Sequence, residues 1–262
     1  MSVTNLRRSN SPSVRDQVSE AEWQTRVELA ACYRLMAHAG VFDLTYNHLS
    51  ARLPDRPDHY LIKGERQLFQ QVTASSLVKY DFAGNKLIDS PHSVSRGGLV
   101  IHAGVLEARD DLAAVFHTHT AANIAVSCHR CGLLPISQHA LRFYGTIGLH
   151  EFAGFEFDLE GRQRLNADLA GRRVMLMRNH GALVCGRTVP EAYVDHHFLE
   201  MACQAQIGAL AAGGIDQIVI PSEAVCRHAA EQANARGPVT RDSRDWGALL
   251  ELADTLDPSY RE

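Results

Sequence analysis

The sequence lacks the marks of a nucleic-acid partner. Its 26 lysines and arginines face 30 acidic residues, for a formal net charge of −4, and the arginines are scattered rather than clustered. That excludes a chain built to track a phosphate backbone. No apolar run reaches the roughly 18 residues that a membrane helix needs, so no membrane partner is expected. The opening MSVTNLRRSNSPSVRDQ has a basic pair but no apolar segment behind it, which excludes a secretory signal. Residues 1–18 therefore read as a disordered tail, and 19–262 as a single domain with a C-terminal helical extension. Cysteine is sparse. The six thiols are scattered as reduced core residues of a cytoplasmic protein would be, and the one close pair, Cys128-His-Arg-Cys131, lacks the second pair of a structural zinc site. There is no internal repeat, no glycine-rich phosphate loop and no nucleophile elbow; Gly97 and Gly98 lack the spaced third glycine of a dinucleotide turn.

What is present is 45% hydrophobic content in 262 residues, enough for one sizeable core. Ser19 and Glu22 have capping-box spacing, Val27, Ala30, Ala31 and Leu35 fall on one helical face, and Gly40 stands where a helix stops. Asn47–Pro54 and His59–Gly64 have strand character, and Ser76–Leu87 reads as two strand-like runs around an Ala-Gly-Asn turn. Gly98–Arg109 has helical periodicity and leads into LAAVFHTHT, and Arg172–Gly181 forms another strand-like run ending in a histidine. Thr188, Pro190 and Glu191 open a further helix expected to run to about Ala212. Trp246, Leu249, Leu250 and Leu252 are spaced for a short helix packing on the body or on a neighbouring subunit. These segments favour a mainly antiparallel sheet over a βαβ series.

Fourteen histidines make any single one unremarkable, but VFHTHTAAN places two of them one residue apart. In a strand, residues i and i+2 share a face, so His117 and His119 offer two imidazoles to one point, and neutral imidazole is a common ligand of zinc and iron. A third ligand would complete the open, three-residue site that catalytic metals use. Arg178-Asn179-His180-Gly181, at the end of another apolar strand, is the best source. His196 and His197 point to different faces of a helix and cannot chelate together.

FHTHT, QHALRFYG, RNHGALVCG with the capped helix after it, and YNHLSAR near the start together resemble the class II aldolase/adducin family, most nearly its adducin-like branch, over about residues 22–212. The resemblance implies an α/β fold: a three-layer α/β/α domain with a central, mainly antiparallel sheet, assembled as a homotetramer with sites between subunits. It also implies a divalent metal, Zn2+ first with Fe2+ or Mn2+ as alternatives, held by histidines matching His117, His119 and His180.

The pattern breaks at one point. The sugar-phosphate aldolases carry a glutamate four residues before the helix histidine; counted from His102, that position is Gly98. An aldol cleavage needs a proton carrier as well as a metal, and losing that carrier costs about 10²–10⁴-fold. His139 and Tyr144 are the catalytic substitutes proposed from sequence, with His150 and Glu151 in the same stretch. Of the family's phosphate-binding segments, Ser50 persists beside Asn47 and His48, and Arg96 replaces a serine; His48, Ser50 and Arg96 are the candidate substrate-binding residues, with Arg52 and Lys63 nearby. An anionic small molecule, phosphate- or carboxylate-bearing, is the expected substrate. Three functions remain open: a metal-dependent lyase acting on a small hydroxy-carbonyl or hydroxy-acid compound, a non-haem iron oxygenase on the same three histidines, and a non-catalytic adducin-like assembly or cytoskeleton-binding module.

Overall fold

Ser19 caps the first helix, α1 (Glu20–His38), by accepting the Glu22 amide at 3.0 Å. The reciprocal half of the capping box is not made. Glu22 is buried instead, and turns inward to Arg26 and to Lys79, whose Nζ lies 2.6 Å away. Arg26, fully buried, also donates to the Ala74 and Leu77 carbonyls, so the charge pair ties the helix to the strap beneath it. The computed structural model describes residues 13–155 and 159–262. Most of the expected disordered tail lies outside the described residues, and its end, Val14–Gln17, forms a 3-10 turn.

Seven strands make one sheet: β1 (His48–Arg52), β2 (His59–Ile62), β3 (Val78–Asp81), β4 (Ala114–Thr118), β5 (Ile147–His150), β6 (Val174–Met177) and β7 (Gly181–Gly186). Their order is β3-β2-β1-β4-β7-β6-β5, and every pairing is antiparallel except β5 with β6. The Ala83-Gly84-Asn85 turn forms, yet the run after it adds only an isolated bridge, Tyr80 to Lys86, rather than a strand. Pro91 soon follows and cannot donate to a ladder.

The remaining helices are α2 (Arg96–Ala108), α3 (Ala121–Cys128), α4 (Gln138–Leu141), α5 (Leu159–Leu169), α6 (Val189–Gly213), α7 (Glu223–Asn234) and α8 (Arg244–Leu256). Strand periodicity divides them into two layers. In β4, Ala114 and Phe116 face a core shared with α1, α3 and α6, whereas Val115 faces a second core with Ile101 and Leu106 of α2 and Leu165 of α5. The result is the three-layer α/β/α arrangement with a mainly antiparallel sheet. At the C-terminus, Trp246 of α8 is fully buried, edge-on to Tyr193 at 6.1 Å, and emptying that space is expected to cost about 3–5 kcal/mol.

Candidate metal centre

His117 and His119 leave the sheet together at the end of β4. His117 is buried within the strand, His119 follows one residue past its end, and their Nε2 atoms lie 2.9 Å apart. Each ring is held from behind. His117 Nδ1 donates to the Ala182 carbonyl on β7 and His119 Nδ1 donates to Asp43, both at 3.0 Å. A carbonyl or carboxylate can only accept, so the ring protons sit on Nδ1 and both Nε2 lone pairs face each other. Two such lone pairs at that distance call for a cation between them.

The third ring comes from the β6–β7 hairpin, whose register joins Met177 to Gly181 around the three-residue loop Arg178-Asn179-His180. Asn179 takes the left-handed conformation (φ 54°), which asparagine tolerates better than most residues. Gly181 allows the close approach: a Cβ there would lie 2.4 Å from the Thr118 carbonyl oxygen. The hairpin thereby sets the His180 ring 4.8 Å from those of both His117 and His119, and one nitrogen from each of the three falls within 4.8 Å of the others. Burial, followed by the neighbouring imidazoles, holds His117 well below its ordinary range. The same causes push His180 down to about 4. Neutral imidazole is the ligating form, and three such donors with Nδ1 pinned behind two of them suit a divalent ion.

A second histidine chain backs this cluster. His48 pairs with His117 across the β1–β4 register, its ring 5.3 Å away. Its Nδ1 lies 2.7 Å from His102 Nε2, and His102 Nδ1 lies 2.5 Å from Ser50 Oγ, which is 3.4 Å from the Val115 carbonyl. Burial pushes His102 down to about 3 and also lowers His48 well below its usual range. Asn47 accepts the His119 amide at 2.9 Å through Oδ1, while its buried Nδ2 has no partner among the described residues.

Several expected residues are elsewhere. Ser50 is fully buried with its hydroxyl committed to His102, and Arg96, the first residue of α2, is exposed. Arg52 is a clamp rather than an anion grip, donating to the carbonyls of Pro57, Leu106, Arg109 and Leu112. Lys63 is buried, its Nζ on the Thr45 and Gly64 carbonyls, and burial pushes it down to about 8. His139 stacks on Phe198 of α6 with ring centroids 5.5 Å apart, on the sheet face opposite the His117 side chain. Tyr144 lines a shallow cleft with Cys131, Leu133 and Leu149. Neither His139 nor Tyr144 joins the three histidines within one chain. His150 Nδ1 meets Asp168 at 2.7 Å, and Glu151 pairs with Arg178 at 3.5 Å. His196 is structural: its Nε2 lies 2.8 Å from Thr118 Oγ1, between the two β4 ligands. All six cysteines are free, and Cys128 Sγ accepts from Asn179 Nδ2 at 3.3 Å.

Sequence reasoning missed Asp43 and the role of His102. Asp43 lies in a loop whose neighbours Phe42, Leu44 and Tyr46 are all exposed apolar residues, an unusual composition that was its only signal. His102 sits on an apolar helix face, where a lone histidine reads as core.

The family model for the class II aldolase and adducin N-terminal domain matches residues 27–207. A Pseudomonas aeruginosa protein named for aldolase class 2 is 41% identical over 258 residues, covering 95% of this chain and 96% of its own. Alpha-adducin of Mus musculus is 37% identical over 223 residues, 83% of this chain but only 30% of the adducin. Among solved structures, an aldolase II superfamily protein from Pseudomonas syringae superposes with a TM-score of 0.91 at 44% identity, covering 95% of this chain and 99% of that one. Among the described residues, no helix is long and apolar enough to cross a membrane.

Proposed function

The chain belongs to the class II aldolase and adducin family, and on that premise we propose that it is a divalent-metal-dependent lyase that cleaves a carbon–carbon bond in a small anionic hydroxy-carbonyl or hydroxy-acid substrate. The observation that carries this reading is the convergence of His117, His119 and His180, with the two β4 rings locked in the ligating tautomer by Ala182 and Asp43. A bound ion, Zn2+ in this reading, would supply Lewis-acid stabilisation of the oxygen on which charge develops.

The protein's own groups supply the rest. His48 stands beside the ligands to meet a substrate oxygen, with His102 and Ser50 hydrogen-bonded in line behind it. That chain has two arrangements in which every imidazole is neutral: Ser50 donates towards His102 and leaves an N–H at His48 Nε2, or His48 donates from Nδ1 and leaves a lone pair there. His48 Nε2 can therefore donate a hydrogen bond to a substrate oxygen or accept one from it while every buried ring stays neutral, with no net proton transferred. Arg96 offers a guanidinium to an anionic substrate at the exposed start of α2. His139 and Tyr144 lie on the α6 side, so in this reading they serve a metal centre only across a subunit boundary of a homotetramer. The exposed Phe42, Leu44, Tyr46, Phe152 and Phe155 provide an apolar surface for such assembly, and a cytoplasmic setting would keep the free thiols reduced.

The test is metal analysis with a retro-aldol assay over a panel of hydroxy-carbonyl compounds, phosphorylated and carboxylated. Protein purified without chelator is expected to carry about one divalent ion per chain and to release aldehyde only when loaded. Well under one ion per chain together with no metal-dependent cleavage would overturn the proposal. The second reading, an iron oxygenase, draws on the open face that three neutral histidines leave on an ion, although such oxygenases usually take a carboxylate as their third ligand. Oxygen consumption by ferrous-reconstituted protein in place of cleavage would select it. Loss of assembly but not of activity in His117→Ala would favour the non-catalytic module.

A further inference from the structure

A cavity of about 220 Å3 lies away from the metal centre. It opens beside Val174, the first residue of β6, whereas His180 follows the far end of the same strand. At the ~3.3 Å rise of a strand residue the two sites are more than about 10 Å apart, at opposite ends of the sheet.

Four arginines line this cavity, Arg142, Arg172, Arg173 and Arg187, against two acids, Glu191 and Asp195. Arg187 and Glu191 satisfy each other: Nη2 reaches Oε1 at 2.6 Å and Nε reaches Oε2 at 3.1 Å. The other three guanidiniums are not matched in this way. Arg173 and Arg142 share Asp195 at 3.3 and 3.8 Å, and Arg173 also lies 3.8 Å from the Glu191 carboxylate already held by Arg187. Arg172 is exposed at the rim. Positive charge is thus in excess, with four guanidiniums lining the cavity against two carboxylates. The donors are also held in place. Arg142 stacks on the face of Phe198 with its guanidinium carbon 4.1 Å from the ring centroid, so little freedom is lost when an anion arrives.

We propose that this cavity is a second anion site, separate from the metal centre, that takes a small dianion of the phosphate-monoester type. Guanidinium forks match the geometry of phosphate oxygens, and a 220 Å3 space holds the equivalent of about seven water molecules at ~30 Å3 each, room for a phosphate with a short carbon chain. Because the site shares no residue with the three histidines, its occupancy is independent of which reaction the metal centre performs.

The experiment is calorimetric titration of the intact protein with inorganic phosphate and with glycerol 3-phosphate, in metal-loaded and metal-stripped forms. Both forms are expected to bind with a Kd of about 1 mM or tighter, glycerol 3-phosphate more tightly than phosphate. Arg172→Gln, at an exposed position that cannot unfold the chain, and Arg142→Gln should each weaken binding about 10-fold while leaving metal affinity unchanged. No heat of binding up to roughly ten times that concentration overturns the proposal. So does binding that vanishes with the metal and ignores both substitutions, since that places the anion at the histidine cluster. A change of oligomeric mass in Arg172→Gln with phosphate affinity intact also overturns it, by making the arginine face a subunit contact.

Discussion

Replacing Asp43 with asparagine tests how the metal centre is built while leaving every ligand in place. The carboxylate accepts from His119 Nδ1 at 3.0 Å and so keeps the lone pair on Nε2. Asparagine has the same shape but no charge, and by turning its amide it can offer a donor instead, which would favour the wrong tautomer. Loss of a carboxylate behind a ligating histidine typically costs 10- to 100-fold in metal affinity. The Asp43 side chain is 42% exposed, so water screens part of its charge and the lower end of that range applies, about 10-fold or ~1.4 kcal/mol. Competition against a chromophoric chelator at fixed pH reads this directly, and the gap between parent and variant should narrow at high salt. His119→Ala, which removes a ligand outright, should lose far more. Asp43→Asn that binds zinc within twofold of the parent would refute the claim that Asp43 sets the tautomer.

Three further outcomes follow from the same geometry. Gly181→Ala forces a Cβ to within 2.4 Å of the Thr118 oxygen, so a loss of about 1–3 kcal/mol in urea unfolding and a drop in metal occupancy are expected together; stability lost with occupancy intact would show that the hairpin does not position His180. Burial holds His102 at about 3 and His196 at about 4 in the folded chain, below the ordinary 6.5. The unfolded chain therefore binds more protons below pH 6.5, and stability present above that pH is lost as the pH falls towards 4, by about 4 kcal/mol for the pair at pH 5; an unchanged urea midpoint between pH 7 and pH 5 would contradict this. Chelation should lower Tm by roughly 5–10 °C, the consequence of losing a ligand held at about 100 times its Kd, and readdition of metal should restore it.

Periodicity made the sheet and the ligands legible, because it depends only on local geometry. HxH at a strand end fixes two rings on one side, and that holds in β4; the run read as one strand ending in Asn-His-Gly instead stops at Met177, and His180 sits in the loop that turns into β7. The capping boxes were half legible. Ser19 and Thr188 cap as their spacing implies, yet Glu22 turns to the buried Arg26 guanidinium, and Glu191 takes the backbone amide and guanidinium of Arg187, the residue before the cap, rather than the amide of Thr188. What pattern could not reach were contacts made across the fold. Asp43 meets His119 over 76 residues and Ser50 meets His102 over 52, and neither pairing leaves a trace in local spacing. The same holds for His139, whose neighbour Phe198 lies on a helix of the opposite layer.

The glycine at position 98 then has a packing explanation alongside its chemical one. A Cβ there would lie 3.1 Å from Ser95 Oγ and 3.3 Å from Val94 Cγ1, and that hydroxyl caps α2 by accepting the Gly98 amide at 3.2 Å. A larger residue must push against the cap that starts the helix, at a cost of about 1 kcal/mol if the bond is lost. One turn further along, the same helix carries His102 into the Ser50–His102–His48 chain, and so reaches the neighbourhood of the ligands through imidazoles instead of a carboxylate. Burial disfavours charge on any of those rings, so the chain acts at His48 Nε2 by switching tautomers between hydrogen-bond donor and acceptor, with no net proton transferred. A carboxylate in the first turn would work by gaining and losing charge. Gly98→Glu would therefore disturb the cap while leaving the neutral chain in possession of the site, and it is expected to lower stability without raising cleavage activity; higher activity in that variant, measured at full metal occupancy, would show that the imidazole chain is no substitute for the missing acid.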